Sequence, residues 1–227
     1  MIGAIIFDAD HTLYFPKHTD AYEKKFNYLG KETGIDPGEI RDEWKRIVNG
    51  LLEKGVRDYK KRSREYSTKK TLVECGVEEK RAEKLTEKAI DIFWKEEIKE
   101  LDYDPEIKNT IQSLGKKYKL CVASDEYDKG LKMKLKKVFG DWRKYFEFIV
   151  SADDTKELKP SKKFCKIPME RFGTEPEETV FVGDSWGREL EVAKNMGLKT
   201  VLVGKEKEGN PDYFIMDISE IEYIYNI

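Results

Sequence analysis

Residues 1–14 read MIGAIIFDADHTLY, a short apolar run that ends in two aspartates, Asp8 and Asp10, one residue apart. On an extended chain, residues two apart point to the same side, so the two carboxylates are expected to face each other where the strand ends. An ordinary aspartate, with a pKa of about 3.9, is ionised at neutral pH. At a separation of ~5 Å and an effective dielectric of ~20, two such charges repel by roughly 3 kcal/mol. A turn or a helix cap needs only one residue of this kind, and Asp10 or Thr12 alone would serve. The pair calls for a cation, and for more acid elsewhere in the chain to hold it.

Four further runs share the apolar, β-rich character of the first: KLCVAS (119–124), FEFIVS (146–151), TVFVGD (179–184) and KTVLVG (199–204). They alternate with helical patterns, KGLKMKLKKVFG (129–140), KKFCKIPMERFG (162–173) and RELEVAKNMG (188–197), each closing on a glycine as helix C-termini often do. Near-continuous hydrophobic strands alternating with helices predict a parallel sheet covered on both faces. DYFIM (212–216) is a weaker candidate for a sixth strand.

The first crossover breaks this economy. More than a hundred residues separate Thr12 from the second strand, where a β-α-β crossover needs only about a dozen. In EIRDEWKRIVNGLL (39–52), Ile40, Trp44, Ile47, Val48, Leu51 and Leu52 recur at helical spacing, and Ile90, Phe93, Trp94, Ile98 and Leu101 repeat the pattern. Two more amphipathic segments lie before and between them, with Gly34, Pro37, Gly55 and Gly76 as punctuation. The reading is an α/β, doubly wound, Rossmann-like core formed by residues 1–15 and 103–227. An all-helical cap of about four helices, residues 16–102, is inserted after the first strand and is expected to cover the sheet.

Composition narrows the function. Among 227 residues, 43 Lys and Arg nearly balance 45 Asp and Glu, which argues against a nucleic-acid binder that relies on a basic surface. Cys75, Cys121 and Cys165 are scattered, and with only His11 and His18 besides, a zinc cluster is not expected. No stretch approaches the ~20 apolar residues of a membrane helix, and Asp8 interrupts an N-terminal run too short for a signal peptide. The expectation is a cytoplasmic protein without membrane or nucleic-acid partners, a monomer or small homo-oligomer.

In an open α/β sheet, ligands bind beyond the carboxyl ends of the strands. The first run ends in Asp8 and Asp10, the second in Ser124 and Asp125, and the fourth in Gly183, Asp184 and Ser185; between the third and fourth, ELKPSKKF (157–164) holds Lys159 before a proline. Each has a bland explanation alone, as a cap, a surface lysine or a turn. Together they bring three acids, a hydroxyl and a lysine to one edge of one sheet.

IIFDADHTL, CVASD, LKPSKKF and VFVGDSWGREL resemble, in order, the four motifs of the haloacid dehalogenase-like hydrolase superfamily, and the helical insertion resembles that superfamily's cap in architecture. The resemblance implies a phosphatase. It implies Asp8 as the nucleophile that forms an aspartyl-phosphate, and Asp10 as the acid for the leaving group and then the base for water, its protonated form favoured by neighbouring anions. It implies Ser124 and the backbone around Asp125 as binders of the phosphoryl oxygens, with Lys159 as the cation beside Asp8. Asp8, Asp184 and the Asp10 backbone carbonyl are implied ligands of Mg²⁺, which suits all-oxygen sites shared with phosphate. In this reading the metal and Lys159 neutralise the paired acids.

Two positions depart from the pattern: His11 stands where glycine is usual, so the turn there is expected to be tighter or shifted, and Glu189 replaces the usual aspartate. Glu189 is expected on the first turn of the helix after GDS, holding the metal through a water or orienting Lys159. The expected substrate is a small phosphorylated metabolite selected by the cap. The basic run at 54–70 reads as a solvated face of a cap helix or as an attractant for a polyanion. The competing readings are a phosphomutase, a 2-haloacid dehalogenase, which the second aspartate disfavours, and a non-catalytic module on the same fold.

Overall fold

The computed structural model describes residues 1–55 and 58–224 of the chain. It enters as β1 (Ala4–Phe7), then runs through four helices, α1 (His18–Thr33), α2 (Pro37–Glu53), α3 (Arg64–Glu74) and α4 (Glu79–Glu100). The return passes through α5 (Ile107–Leu114), β2 (Lys119–Ala123), α6 (Asp128–Phe139), β3 (Phe148–Val150), α7 (Ala152–Thr155) and α8 (Lys163–Phe172). It ends with β4 (Thr179–Gly183), a wide turn at Trp186–Leu190, α9 (Glu191–Asn195), β5 (Lys199–Val203) and β6 (Tyr213–Ile215). Two compact units result: Met1–Phe15 with Asp102–Ile227, and Pro16–Leu101.

The first unit is a six-stranded, all-parallel sheet in the order β3-β2-β1-β4-β5-β6. DYFIM does contribute the edge strand β6. Every side chain of β1 and β4 is buried, as strands covered on both faces require. Fully burying such a side chain is worth about 1.5–3 kcal/mol, so the central strands are firmly anchored. The chain builds outward from β1 to β2 and β3, then restarts on the other side of β1 with β4. This reversal opens a crevice at the carboxyl ends of β1 and β4. Register makes those ends flush: Phe7 pairs with Val182, and the Asp8 N–H donates to the Val182 carbonyl at 2.8 Å.

The second unit packs α1 to α4 around Phe26, Leu29, Ile40, Leu72, Leu85 and Ala89. Three of its four helices, α2, α3 and α4, start where a side chain satisfies free N–H groups. Asp36 accepts from Gly38 and Glu39, Ser63 from Tyr66, and Glu78 from Lys80 and Arg81. The basic run at 54–70 is not one helical face. Helix α3 begins only at Arg64, Ser67 and Thr68 are buried, and Lys69 pairs with Glu79 at 3.1 Å. Val56 and Arg57 of that run lie outside the described residues.

Candidate active site

Asp8 is the first residue beyond β1, and only 7% of its surface is exposed. Lys159, in the segment between α7 and α8, reaches it with a side chain that is 3% exposed. Its Nζ donates to Asp8 Oδ1 and, at 2.5 Å, to Glu189 Oε2. The other Glu189 oxygen accepts the Ser185 N–H at 3.3 Å. Carboxylate oxygens of Asp8, Asp184 and Glu189 all lie within 4.8 Å of one another.

The electrostatics follow from burial and crowding. Burial, then Glu189, pushes Asp8 up to about 7 against the lowering pull of Lys159. Burial also raises Glu189 despite Lys159, and burial followed by Asp8 raises Asp184. For Lys159, burial opposes the charge, but Asp8 and Glu189 outweigh it and hold the amine well above the ordinary lysine value. Three acids thus meet one ammonium, and the excess negative charge matches an added divalent cation.

The two aspartates of the opening stretch do not share a counter-ion. Asp10 turns to Lys134 on α6, whose Nζ lies 3.0 and 2.8 Å from its two carboxylate oxygens and 3.2 Å from Glu126 Oε2. Lys134 is thus a further cation on Asp10, beside the Lys159 and metal that the sequence assigns to the pair, and Glu126 is a neighbouring anion on the same amine. Lys134 was missed although it lies on the apolar face of its helix, between Leu131, Leu135 and Val138. A lysine at that register is the signal that was available.

Ser124 follows β2, is buried, and its Oγ accepts the Glu126 N–H at 3.1 Å. The Asp125 carboxylate pairs with Arg188 Nη2 at 2.6 Å, a partner absent from the sequence reading. His11 takes the left-handed backbone, φ 64°, that a glycine would adopt there, and its N–H donates to the Tyr14 carbonyl at 2.7 Å. The tight turn is therefore kept without glycine, and the ring stays exposed, edge-on to Phe15. Glu189 lies, as expected, on the first helical turn after GDS, but that turn, Trp186–Leu190, is a wide one that α9 then continues.

The haloacid dehalogenase-like hydrolase family matches residues 5–203. A phosphoglycolate phosphatase of Aquifex aeolicus is 35% identical over 99 residues, 43% of this chain and 45% of that protein. A ribulose-1,5-bisphosphate 5-phosphatase of Halopiger xanaduensis is 23% identical over 222 residues, covering 92% and 88% of the two chains. The chain spans about half the length of the first curated relatives it matches. Among solved structures, a 2-haloacid dehalogenase of Pseudomonas syringae superposes with TM-score 0.73 at 20% identity, covering 98% of this chain and 97% of that one, which speaks for the fold alone.

Proposed function

The chain belongs to the haloacid dehalogenase-like hydrolase family, and on that premise we propose that it is a Mg²⁺-dependent phosphatase of a small phosphomonoester. The observation that carries the reading is the division of labour between Asp8 and Asp10. One is buried against Lys159 among further acids, and the other is partly exposed on its own lysine. A dehalogenase needs only the first, because halide departs without a proton.

In this mechanism Asp8 Oδ attacks phosphorus, and the bond from phosphorus to the ester oxygen breaks. Asp10 gives its proton to the departing oxygen. The resulting carboxylate of Asp10 then takes a proton from water, whose oxygen attacks the phosphorus of the aspartyl-phosphate. The bond between Asp8 and phosphorus breaks, releasing inorganic phosphate and restoring Asp8. Lys159 holds Asp8 in place and offers positive charge to the phosphoryl oxygens. Ser124 and the backbone beside it supply hydroxyl and N–H groups for the same oxygens.

The acids fit a hard cation: oxygen donors only, closely grouped, with charge in excess of the one lysine. Asp8, Asp184 and the Asp10 carbonyl would hold Mg²⁺, with Glu189 beside them. Bound there, the ion would neutralise phosphoryl charge during attack on an anion. The α/β unit carries this chemistry, and the helical unit is assigned the selection of substrate.

Hydrolysis of 4-nitrophenyl phosphate with and without a chelator tests the reading. Turnover is expected to need Mg²⁺, to release one inorganic phosphate per 4-nitrophenol, and to vanish in Asp8→Asn. Full activity in the chelator, or more than a few per cent in Asp8→Asn, would overturn it. A panel of phosphorylated metabolites then identifies the substrate.

A further inference from the structure

Lys134 is fully buried on α6. An ammonium stripped of water is costly by several kcal/mol unless it is paired and hydrogen-bonded. One glutamate would meet that need, and Glu126 is in place, its Oε2 3.2 Å from Nζ. Yet Lys134 also bonds both oxygens of Asp10, 124 positions away in sequence and 28% exposed at its side chain. The amine thus ties a buried support to a carboxylate that still has one side open.

The support is itself held. The Glu126 Oε1 accepts the Tyr127 N–H at 2.9 Å, and its backbone N–H and carbonyl bond Ser124 Oγ and the Ala152 N–H at 3.1 Å each. The Tyr14 ring lies 5.8 Å from the ammonium. Burial, foremost, with Asp10 and Glu126, raises the Tyr14 phenol well above its ordinary pKa. The lysine is therefore fixed from the end of β2, from α6 and from the loop after β1.

We propose that Lys134, braced by Glu126, is a positioning residue that fixes the Asp10 carboxyl in line with the leaving-group oxygen. The inference rests on the phosphatase reading. Lys134 grips the carboxylate in the orientation from which it delivers and then retrieves a proton. Without that grip Asp10 rotates about its side-chain bonds, and misplacement by about 1 Å can cost 10²-fold in rate.

The test uses two esters of similar shape that differ in their demand for a proton. Nitrophenolate leaves 4-nitrophenyl phosphate with little help, whereas phenyl phosphate depends on the general acid, a contribution of about 10²–10⁴. Single-turnover release of the phenols is measured for wild type, Lys134→Met, Lys134→Arg and Glu126→Gln. Lys134→Met is expected to lose about tenfold more on phenyl phosphate than on the nitrophenyl ester. Lys134→Arg should recover part of the difference, and Glu126→Gln should show a smaller one. In Asp10→Asn, adding Lys134→Met should leave the ratio of the two rates unchanged.

Equal losses on both esters would show a merely structural lysine and overturn the inference while the phosphatase reading stands. Wild type inert on both esters overturns the phosphatase reading and the inference with it. If Lys134→Met does not fold, Glu126→Gln decides: no change in its ester ratio overturns the proposal.

Discussion

At Gly183 the missing side chain is what admits Glu189. A Cβ there would lie 2.1 Å from Glu189 Oε1 and 2.7 Å from its Cδ, and the carboxylate cannot simply swing aside because Lys159 and the Ser185 N–H hold it. Gly183→Ala is therefore expected to act by evicting Glu189. Losing a group beside a metal ligand typically costs 10–100-fold in metal affinity or activity. Gly183→Ala and Glu189→Ala should each raise the Mg²⁺ needed for half-maximal rate by about that factor. The double variant should be no worse than Glu189→Ala alone, because the clash has gone. Rates measured against Mg²⁺ concentration check this, and additive losses would refute it. The roles of Asp8 and Lys159 could be put forward from sequence because each lies within a recognisable motif. Lys134 could not, because nothing local ties it to Asp10; only its place among Leu131, Leu135 and Val138 marks a lysine turned inward.

The strands were legible because an all-buried parallel strand must be apolar along its whole length, as AIIF and TVFVG are. The helix after β4 was legible in place but not in pitch. Its sequence reads as one helix over 188–197, but the chain opens into a wide turn in which the Leu190 N–H donates to the Ser185 carbonyl at 3.3 Å. Such turns recur at functional sites, and here widening lets Glu189 face Lys159 while α9 continues below. The turn is braced from outside: Gly209, at φ 62°, leaves room for the Trp186 ring, and a Cβ there would meet it at 2.2 Å. The Trp186 ring is rigid and cannot fold away from an added methyl group. Gly209→Ala combines left-handed strain with overpacking, so a loss of about 2 kcal/mol is expected in urea unfolding. A stability equal to wild type would show that the 204–212 loop moves away freely.

Each unit has its own core, which allows a stability effect to be assigned to one of them. Lys25 is fully buried in the helical unit, on the stripe of Ala21 and Leu29. Its amine lies 4.8, 4.4 and 4.8 Å from the ring centres of Tyr22, Phe26 and Trp44, and donates to Thr68 Oγ1 at 3.3 Å. Burial, then the nearby Arg64, lowers it to about 7 from the ordinary 10.5, with Glu65 opposing. Between those two values the unfolded chain binds a proton that the folded helical unit rejects, so stability rises with pH across that window. Below about 7 both states are protonated and the penalty is full; above 10.5 both are neutral and it has gone. The three rings recover part of it, each cation–π contact being worth about 0.5–2 kcal/mol. A gain of about 2–4 kcal/mol is therefore expected from neutral to alkaline pH. The tryptophans divide between the units, with Trp44 and Trp94 in the helical one and Trp142 and Trp186 in the other. With the latter two replaced by phenylalanine, fluorescence-monitored urea unfolding follows the helical unit alone. Lys25→Met should stabilise that transition near pH 7 and flatten its pH dependence, because the methionine fills the same box without a charge. An unchanged slope in Lys25→Met would place the titrating group elsewhere.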